Sequence, residues 1–429
     1  MKKLAKLVKE LDHDISICVK CGTCLGACPL YKVNLIEGNV ARGKIALIDG
    51  LIKNLFSNPD ELSKIINQCL LCGSCAASCP SNVDTMQIFF KIRIILSEFS
   101  RFSYFKKIIF KKIIAKPQRF DKLFSLLEKF QFLFIKPRKN IQLTSSFRFI
   151  PQRISQRRFK CIAQIPFHKT EYIGNTCTDN NPPFKIAFFP GCAIDKIYPN
   201  IAIDAIQVLK YFKIDIFIPN NIGCCGIPVL ASGDKTSFID LIDHNIDIFS
   251  LQKFDYLITP CATCLSTIKH LWIDFYQTRD KERKEYLIDL SSKALDISQF
   301  LINILKIPDF PGNNSLESIT YHDPCHHCKV LNIRTEPRSL IKASGKKIIE
   351  MDQSDLCCGM GGTFNLFNYK DSIKIGQLKG KNIINTGCKT LATSCPACMM
   401  QISDILDKQK TDIAIKHPIE IYKDFLFKN

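Results

Sequence analysis

The sequence predicts an α+β chain, a helical N-terminal module followed by two copies of a domain built on a parallel α/β sheet. Two observations predict it. Within the first 100 residues a C-x2-C-x2-C-x3-C-P run occurs twice, as Cys18, Cys21, Cys24 and Cys28 before Pro29, and as Cys69, Cys72, Cys75 and Cys79 before Pro80. Further on, a C…CCG…C-x2-C array also occurs twice. It comprises Cys192, Cys224, Cys225, Cys261 and Cys264, then Cys325, Cys357, Cys358, Cys395 and Cys398. The copies are offset by 133 residues at Cys192/Cys325 and Cys224/Cys357, and by 134 at Cys261/Cys395. So constant an offset indicates duplication of a domain-sized unit, well above the roughly 20–50 residues of solenoid repeats.

In chain order, residues 1–100 form the cysteine-rich module. Helically spaced Ile and Leu lie between its two runs, and a helix is predicted over Met86–Phe102. Residues 101–183 are a basic, Phe-rich connector that starts helical, breaks at Pro117, Pro137 and Pro151, and ends in TDNNPP. Residues 184–276 alternate strand and helix: FKIAFF (184–189), a helix near 199–212, IDIFI (214–218), a helix near 234–250, then DYLIT (255–259). A helical linker (277–315) leads to residues 316–429, which repeat the scheme with SITYH (318–322), KKIIE (346–350) and TLATS (390–394). Short apolar runs alternating with helical segments are the pattern of β–α–β units.

Composition narrows the function. Twenty-two cysteines in 429 residues suit metal ligation in a reducing compartment better than disulfides. The charged start MKKLAKLVKELDHDI has no signal-peptide pattern, and no run approaches the roughly 18–20 apolar residues of a membrane span. A cytoplasmic location is therefore expected, with peripheral attachment at the inner face of the cell membrane as an option. The net charge of +19 is concentrated in residues 101–170, where 18 Lys/Arg face only Asp121 and Glu128 and 12 of the 31 Phe occur. Basic residues mixed with Phe suit an anionic membrane surface or an acidic partner. No nucleic-acid-binding module accompanies the charge, so nucleic acid is not an expected partner.

A cubane cluster takes four thiolates. A C-x2-C-x2-C segment wraps three corners, and the fourth Cys, beside Pro, reaches the neighbouring cluster. Cys18, Cys21, Cys24 and Cys79 are therefore expected to hold one [4Fe–4S] cluster, and Cys69, Cys72, Cys75 and Cys28 the other. Zinc sites more usually take two separated Cys-x2-Cys pairs. In the second array each cysteine group follows a predicted strand, and ligands in open α/β sheets bind beyond the carboxyl ends of strands. Cys192, Cys224, Cys225, Cys261 and Cys264 should converge on one crevice, and Cys325, Cys357, Cys358, Cys395 and Cys398 on another. One or two further iron–sulfur clusters, or one zinc, fit these thiols. His322 and His326 are candidates to donate hydrogen bonds to cluster sulfur, while Gly359, Gly361 and Gly362 would let the backbone pass close by. Cys161, Cys177, Cys328 and Cys388 are expected to be ordinary thiols.

The N-terminal module resembles bacterial two-cluster ferredoxin domains, and the two arrays match the cysteine-rich CCG domain pattern. With EGNVARGKIALIDG (37–50), INQCLLCGSCAASCPSNV (66–83), YHDPCHH (321–327) and CCGMGGTFN (357–365), the chain resembles the iron–sulfur subunits of glycolate oxidase and related lactate dehydrogenases. The resemblance implies an electron-transfer subunit of a membrane-associated 2-hydroxy-acid dehydrogenase. It would take electrons from an FAD-binding partner and pass them toward a membrane acceptor and the respiratory chain. Substrate oxidation would then occur on the partner, and no catalytic residue is assigned in this chain. The intact CATC (261–264) and CPAC (395–398) also resemble heterodisulfide reductase subunits, whose CCG domains can hold a non-cubane [4Fe–4S] cluster and act on a disulfide. The chain is similar, third, to the corresponding cysteine-rich component of anaerobic glycerol-3-phosphate dehydrogenase. A zinc-stabilised interaction protein is the non-redox alternative.

Overall fold

In the computed structural model, residues 8–55, 58–99, 110–137, 144–147, 157–176, 181–276, 278, 280–308 and 317–427 are described. The helical spacing of the N-terminal module forms α1 (Ala41–Ile52), α2 (Pro59–Asn67) and α3 (Thr85–Ser97). Asn58 caps α2, accepting from the amides of Asp60 and Glu61, and Asp84 caps α3 through the Gln87 amide. Helix α3 is apolar on most of its circumference because it is wedged between the module and the first α/β copy. It buries Ile88, Phe89, Phe90, Ile92 and Leu96. Its one internal guanidinium, Arg93, has no water to solvate it. It donates instead to the carbonyls of Ile66 (3.1 Å), Cys69 (2.7 Å) and Ala231 (3.0 Å), so one buried cation ties a ligand loop of the module to the first copy.

The connector carries α4 (Pro117–Phe134), opened by a proline at a position where no backbone donor is needed. Three short antiparallel strands follow, Ile135–Pro137, Thr144–Phe147 and Phe159–Lys160, where the sequence predicted no strand. The buried Lys196 anchors α4 by pairing with Asp121 (2.5 Å) and Asp195 (2.5 Å). The helix predicted over 86–102 is observed as α3 but ends at Ser97, with Glu98 and Phe99 in a turn, and 100–102 lie outside the described residues.

The first copy holds β1 (Gly174–Thr176), β2 (Lys185–Phe188), α5 (Cys192–Ile197), α6 (Pro199–Tyr211), β3 (Asp215–Ile218), α7 (Ile227–Ala231), α8 (Lys235–Phe249), β4 (Tyr256–Thr259), α9 (Ala262–Ser266), α10 (Lys281–Ser292) and β5 (Ala294–Asp296). Its sheet runs β1-β3-β2-β4-β5, parallel apart from the edge strand β1. The second copy holds β6 (Ser318–Tyr321), α11 (Thr335–Ala343), β7 (Lys347–Ile348), α12 (Thr363–Phe367), α13 (Tyr369–Ile384), β8 (Thr390–Ala392), α14 (Pro396–Lys408), β9 (Ala414–Lys416) and α15 (Pro418–Leu426). Its sheet runs β7-β6-β8-β9, all parallel. Apart from β1 the two sheets have the same strand order, as expected of a duplication. The first sheet also draws in β1 and β5, which lie outside 184–276 in the segments read as connector and linker. Helix α15 packs against α6 of the first copy and α11 of the second, so the C-terminal helix spans both.

Candidate metal centres

Each N-terminal cysteine run turns into a single-turn helix, Thr23–Ala27 or Ser74–Ala77, entered through Gly22 (φ +88°) or Gly73 (φ +72°). A side chain at these positive φ angles would be strained, so glycine is what allows the run to curl around a centre. Cys18, Cys21, Cys24 and Cys79 line one cavity. Cys28, Cys69, Cys72 and Cys75 line a second, and Cys75 also borders the first. The fourth cysteine of each run thus lies in the other run's cavity; four thiols line the inner cavity and, counting the shared Cys75, five the outer, enough for the four a cubane requires. The outer set reaches solvent through Cys21, whereas burial pushes the Cys28 thiol up to about 11. Amides point at sulfur from Leu71 to Cys69 and from Val83 to Cys79, both at 3.4 Å. Lys44 is fully buried and hydrogen-bonded to the Asn39 carbonyl. Burial lowers its pKa, against the pull of the Cys69, Cys28 and Cys75 thiolates.

In both copies the thiols gather beyond the carboxyl ends of the strands, where α/β sheets bind ligands. Cys192 follows β2, Cys224 and Cys225 follow β3, and Cys261 and Cys264 follow β4. Cys224 Sγ lies 3.7 Å from Cys192 Sγ, and Cys225, Cys261 and Cys264 are buried in the same core. In the second copy Cys358 Sγ lies 3.4 Å from Cys398 Sγ, and Cys357 and Cys325 share one buried cluster. The amide of Gly226 donates to Cys224 Sγ and that of Gly359 to Cys357 Sγ, each at 3.4 Å. Neighbouring thiols share protons. Hydrogen bonds from Cys224 and Cys264 hold Cys225 below the usual thiol range, and those from Cys357 and Cys398 do the same for Cys358. Their partners Cys224 and Cys398 are raised in turn. Buried thiols in this arrangement cannot all ionise unless cations offset the charge, which is the chemistry of a metal site.

The two crevices, expected to be separate, lie edge to edge. Cys261 of the first copy holds the Cys395 thiol of the second below its usual range, Thr263 Oγ1 sits 3.5 Å from Cys395 Sγ, and the Ala262 amide donates to the Ser394 carbonyl at 3.1 Å. The N-terminal module closes the other end. Hydrogen bonds from Cys325 and Cys357 hold the Cys72 thiol well below its ordinary range. Lys329 reaches across to Ser74 Oγ at 2.8 Å. Gly361 (φ +51°) brings the second copy's backbone against Leu70, where a Cβ would lie 3.1 Å from Leu70 Cα. Of the three glycines singled out, Gly361 alone makes this approach, and to the N-terminal module; a Cβ at Gly359 would meet the Ser372 carbonyl, and Gly362 has open space around it. Sequence spacing held no sign of the Cys72 contacts, because they depend on how the module docks.

His322 is fully buried and His326 half-buried. His326 Nε2 faces the Leu71 carbonyl at 3.4 Å, and burial lowers its pKa despite nearby thiolates of Cys395, Cys72 and Cys225. His322 Nδ1 lies 3.2 Å from the Ser354 carbonyl. His327 pairs with Asp296 of β5 at 3.3 Å, both fully buried, which adds a polar link between the copies. Cys328 and Cys388 are buried outside the two arrays, Cys161 is half-buried, and Cys177 lies outside the described residues.

Residues 14–83 match the 4Fe-4S dicluster domain family, and residues 186–269 and 319–403 each match the cysteine-rich domain family called CCG. The chain is 26% identical to the probable glycolate oxidase iron–sulfur subunit of Bacillus subtilis, over 94% of this chain and 92% of that protein. It is 29% identical to lactate utilization protein A of Shouchella clausii, over 55% of this chain and 97% of that protein. It is 28% identical to one of the subunits of the fumarate reductase (CoM/CoB) of Methanothermobacter marburgensis, over 62% of this chain and 52% of that protein. The chain therefore carries an iron–sulfur dicluster domain and two CCG domains, and its role is iron–sulfur electron transfer. Among the described residues no helix is long and apolar enough to cross a membrane.

Proposed function

We propose that this chain is the electron-transfer subunit of a membrane-associated 2-hydroxy-acid dehydrogenase acting on glycolate or lactate, working with an FAD-binding partner. The observation that carries this reading is the unbroken contact from the N-terminal thiols to both CCG sets. Cys21 is exposed, the outer and inner cavities share Cys75, Cys72 meets Cys325 and Cys357, and Cys395 meets Cys261. Bound clusters supply one-electron carriers. The chain would hold them in sequence, with the inner dicluster thiols half-buried and the CCG thiols, apart from the half-buried Cys192, buried away from water. The ligand sets proposed are Cys18, Cys21, Cys24 and Cys79 for the outer cubane and Cys69, Cys72, Cys75 and Cys28 for the inner one. The two sets of five would take one further iron–sulfur cluster each. The relatives named for glycolate oxidase and lactate utilization support this substrate class.

Membrane association is supported by α4. Residues spaced three or four apart place Arg119, Lys122, Leu126, Lys129, Phe130 and Leu133 on one outward face, with Leu126 54%, Phe130 46% and Leu133 45% exposed. The acid Asp121 turns inward to Lys196. An exposed apolar stripe flanked by cations suits an anionic bilayer surface, where rings and Leu insert between headgroups.

The test is isolation of the tagged chain from its native cells under anaerobic conditions. A flavoprotein should co-isolate, and glycolate or lactate should bleach the visible iron–sulfur absorbance. Bleaching by dithionite but by neither acid would overturn the substrate class.

A further inference from the structure

The two CCG sets are not chemically equivalent, and the difference lies in one side chain. His322 follows β6 and Phe189 follows β2 at the equivalent position. The Phe189 amide donates to the Ile258 carbonyl at 2.8 Å, and the His322 amide to the Ala392 carbonyl, the equivalent acceptor, at 2.9 Å. The backbones therefore match while the side chains differ. Phe189 offers carbon only and packs against Phe249 and Trp272. His322 is fully buried, and its ligating atom lies with the sulfurs of Cys358 and Cys398 in a group whose members are all within 4.8 Å of one another.

The ring's tautomer follows from its neighbours. His322 Nδ1 meets the Ser354 carbonyl at 3.2 Å, and a carbonyl can only accept, so the Nδ1 proton is committed there. The same carbonyl receives the Lys379 ammonium at 3.0 Å and the Asp323 amide at 3.1 Å, which fixes its position. In the neutral ring Nε2 is then a bare lone pair. It is buried with no hydrogen-bond partner among the described residues, on a ring that lies beside the Cys358 and Cys398 sulfurs. An imidazole held through Nδ1–H on a backbone carbonyl, with Nε2 turned toward thiols, is how proteins present histidine to a metal.

We infer that His322 Nε2 is a direct ligand of the metal held by the second CCG set, so that this centre has mixed thiolate–imidazole coordination while the first has thiolates alone. The inference rests on the metal-bearing reading of the two sets given above. Its consequence is directional. Where neutral imidazole takes the position that an anionic thiolate holds in the first copy, it raises the reduction potential of an iron–sulfur centre. The second copy, the one in contact with Cys72, then becomes the preferred resting place of an electron.

The experiment uses the full chain loaded anaerobically and reduced, with hyperfine EPR (HYSCORE) on wild type grown with natural-abundance or 15N-labelled histidine, and on His322→Phe and His322→Cys. Iron and zinc are counted in each protein and in Cys358→Ser/Cys398→Ser. A directly bonded nitrogen coupling is expected in wild type, converted to 15N by the label and lost in both His322 variants, with metal retained in His322→Cys. If the second-copy metal is zinc, zinc-edge X-ray absorption reads the same imidazole shell and its loss. Wild-type metal that disappears in the double Ser variant but shows no bonded nitrogen would overturn the inference and leave the iron–sulfur reading standing. Metal content unchanged in the double Ser variant would show that the second set binds none, and would overturn both.

Discussion

Cys72 of the N-terminal module packs against the cluster that holds Cys325 and Cys357 of the second CCG set, although 285 residues separate Cys72 from Cys357 in the chain. This contact gives the two halves of the protein a common purpose. The inner thiols of the dicluster module are in touch with the second CCG set, and that set is in turn in touch with the first through Cys395 and Cys261. The docking is held by polar groups: the buried Arg93 on the side of the first copy, and the half-buried Lys329 with the buried Ser74 on the side of the second.

The crossing of the fourth cysteines gives a sharp expectation. Cys28→Ser, although it lies in the first run, should damage the inner centre with Cys69, Cys72 and Cys75. Cys79→Ser should damage the outer one. EPR of the reduced variants, with an iron count, checks this. If Cys28→Ser instead removed the signal of the centre held by Cys18, Cys21 and Cys24, the cross-ligation would be wrong.

Lys44 places a buried ammonium against the inner thiolates, and net charge is among the determinants of cluster potential. Lys44→Met should lower the potential of the inner centre by roughly tens of millivolts, where one tenfold change in a one-electron equilibrium is about 59 mV. It should leave the outer centre unmoved. An EPR-monitored redox titration measures both.

His417, the cap of α15, is fully buried, and burial lowers its pKa to about 4 from 6.5. Between those values the unfolded chain binds a proton that the folded chain refuses. Stability therefore rises with pH across this window, is fully present above 6.5, and is lost on acidification toward 4. The span corresponds to about 3 kcal/mol at most. The apparent Tm of wild type should fall from pH 7 to pH 5 more steeply than that of His417→Gln. Parallel curves would remove His417 as the cause.

The outward face of α4 should bind vesicles containing phosphatidylglycerol, and phosphatidylcholine vesicles much less. Lys122→Glu/Lys129→Glu should weaken binding by about tenfold or more, since each cation near an anionic surface contributes about 1 kcal/mol. Leu126→Ser/Phe130→Ser/Leu133→Ser should abolish it. Co-sedimentation, with iron content as the check on folding, reads all three. Unchanged binding of the variants would place the contact elsewhere.

Much of this architecture is legible in the residues. The runs FKIAFF, IDIFI, DYLIT, SITYH and TLATS are the central strands, and the constant offset reveals the duplicated sheet. The edge strands Gly174–Thr176 and Ala294–Asp296 are not legible, because three residues without an apolar run gain their strand character only from a neighbour. Likewise the cysteine spacing gives the thiol groups but not their order in space, which depends on Arg93, Gly361 and Lys329 fixing one module on the other. The difference between His322 and Phe189 is visible on aligning the two copies at their shared offset. Its meaning emerges only when the Ser354 carbonyl is seen to hold Nδ1.

The most direct measurement is freeze-quenched EPR after oxidised, fully loaded protein is mixed with a reduced donor protein too large to pass beyond Cys21, in wild type and in Cys357→Ser. A relay through Cys72 predicts that the variant still reduces its N-terminal centres at the wild-type rate, while reduction of the first CCG centre becomes much slower. Reduction of that centre at an undiminished rate, with the second copy emptied, would contradict the relay.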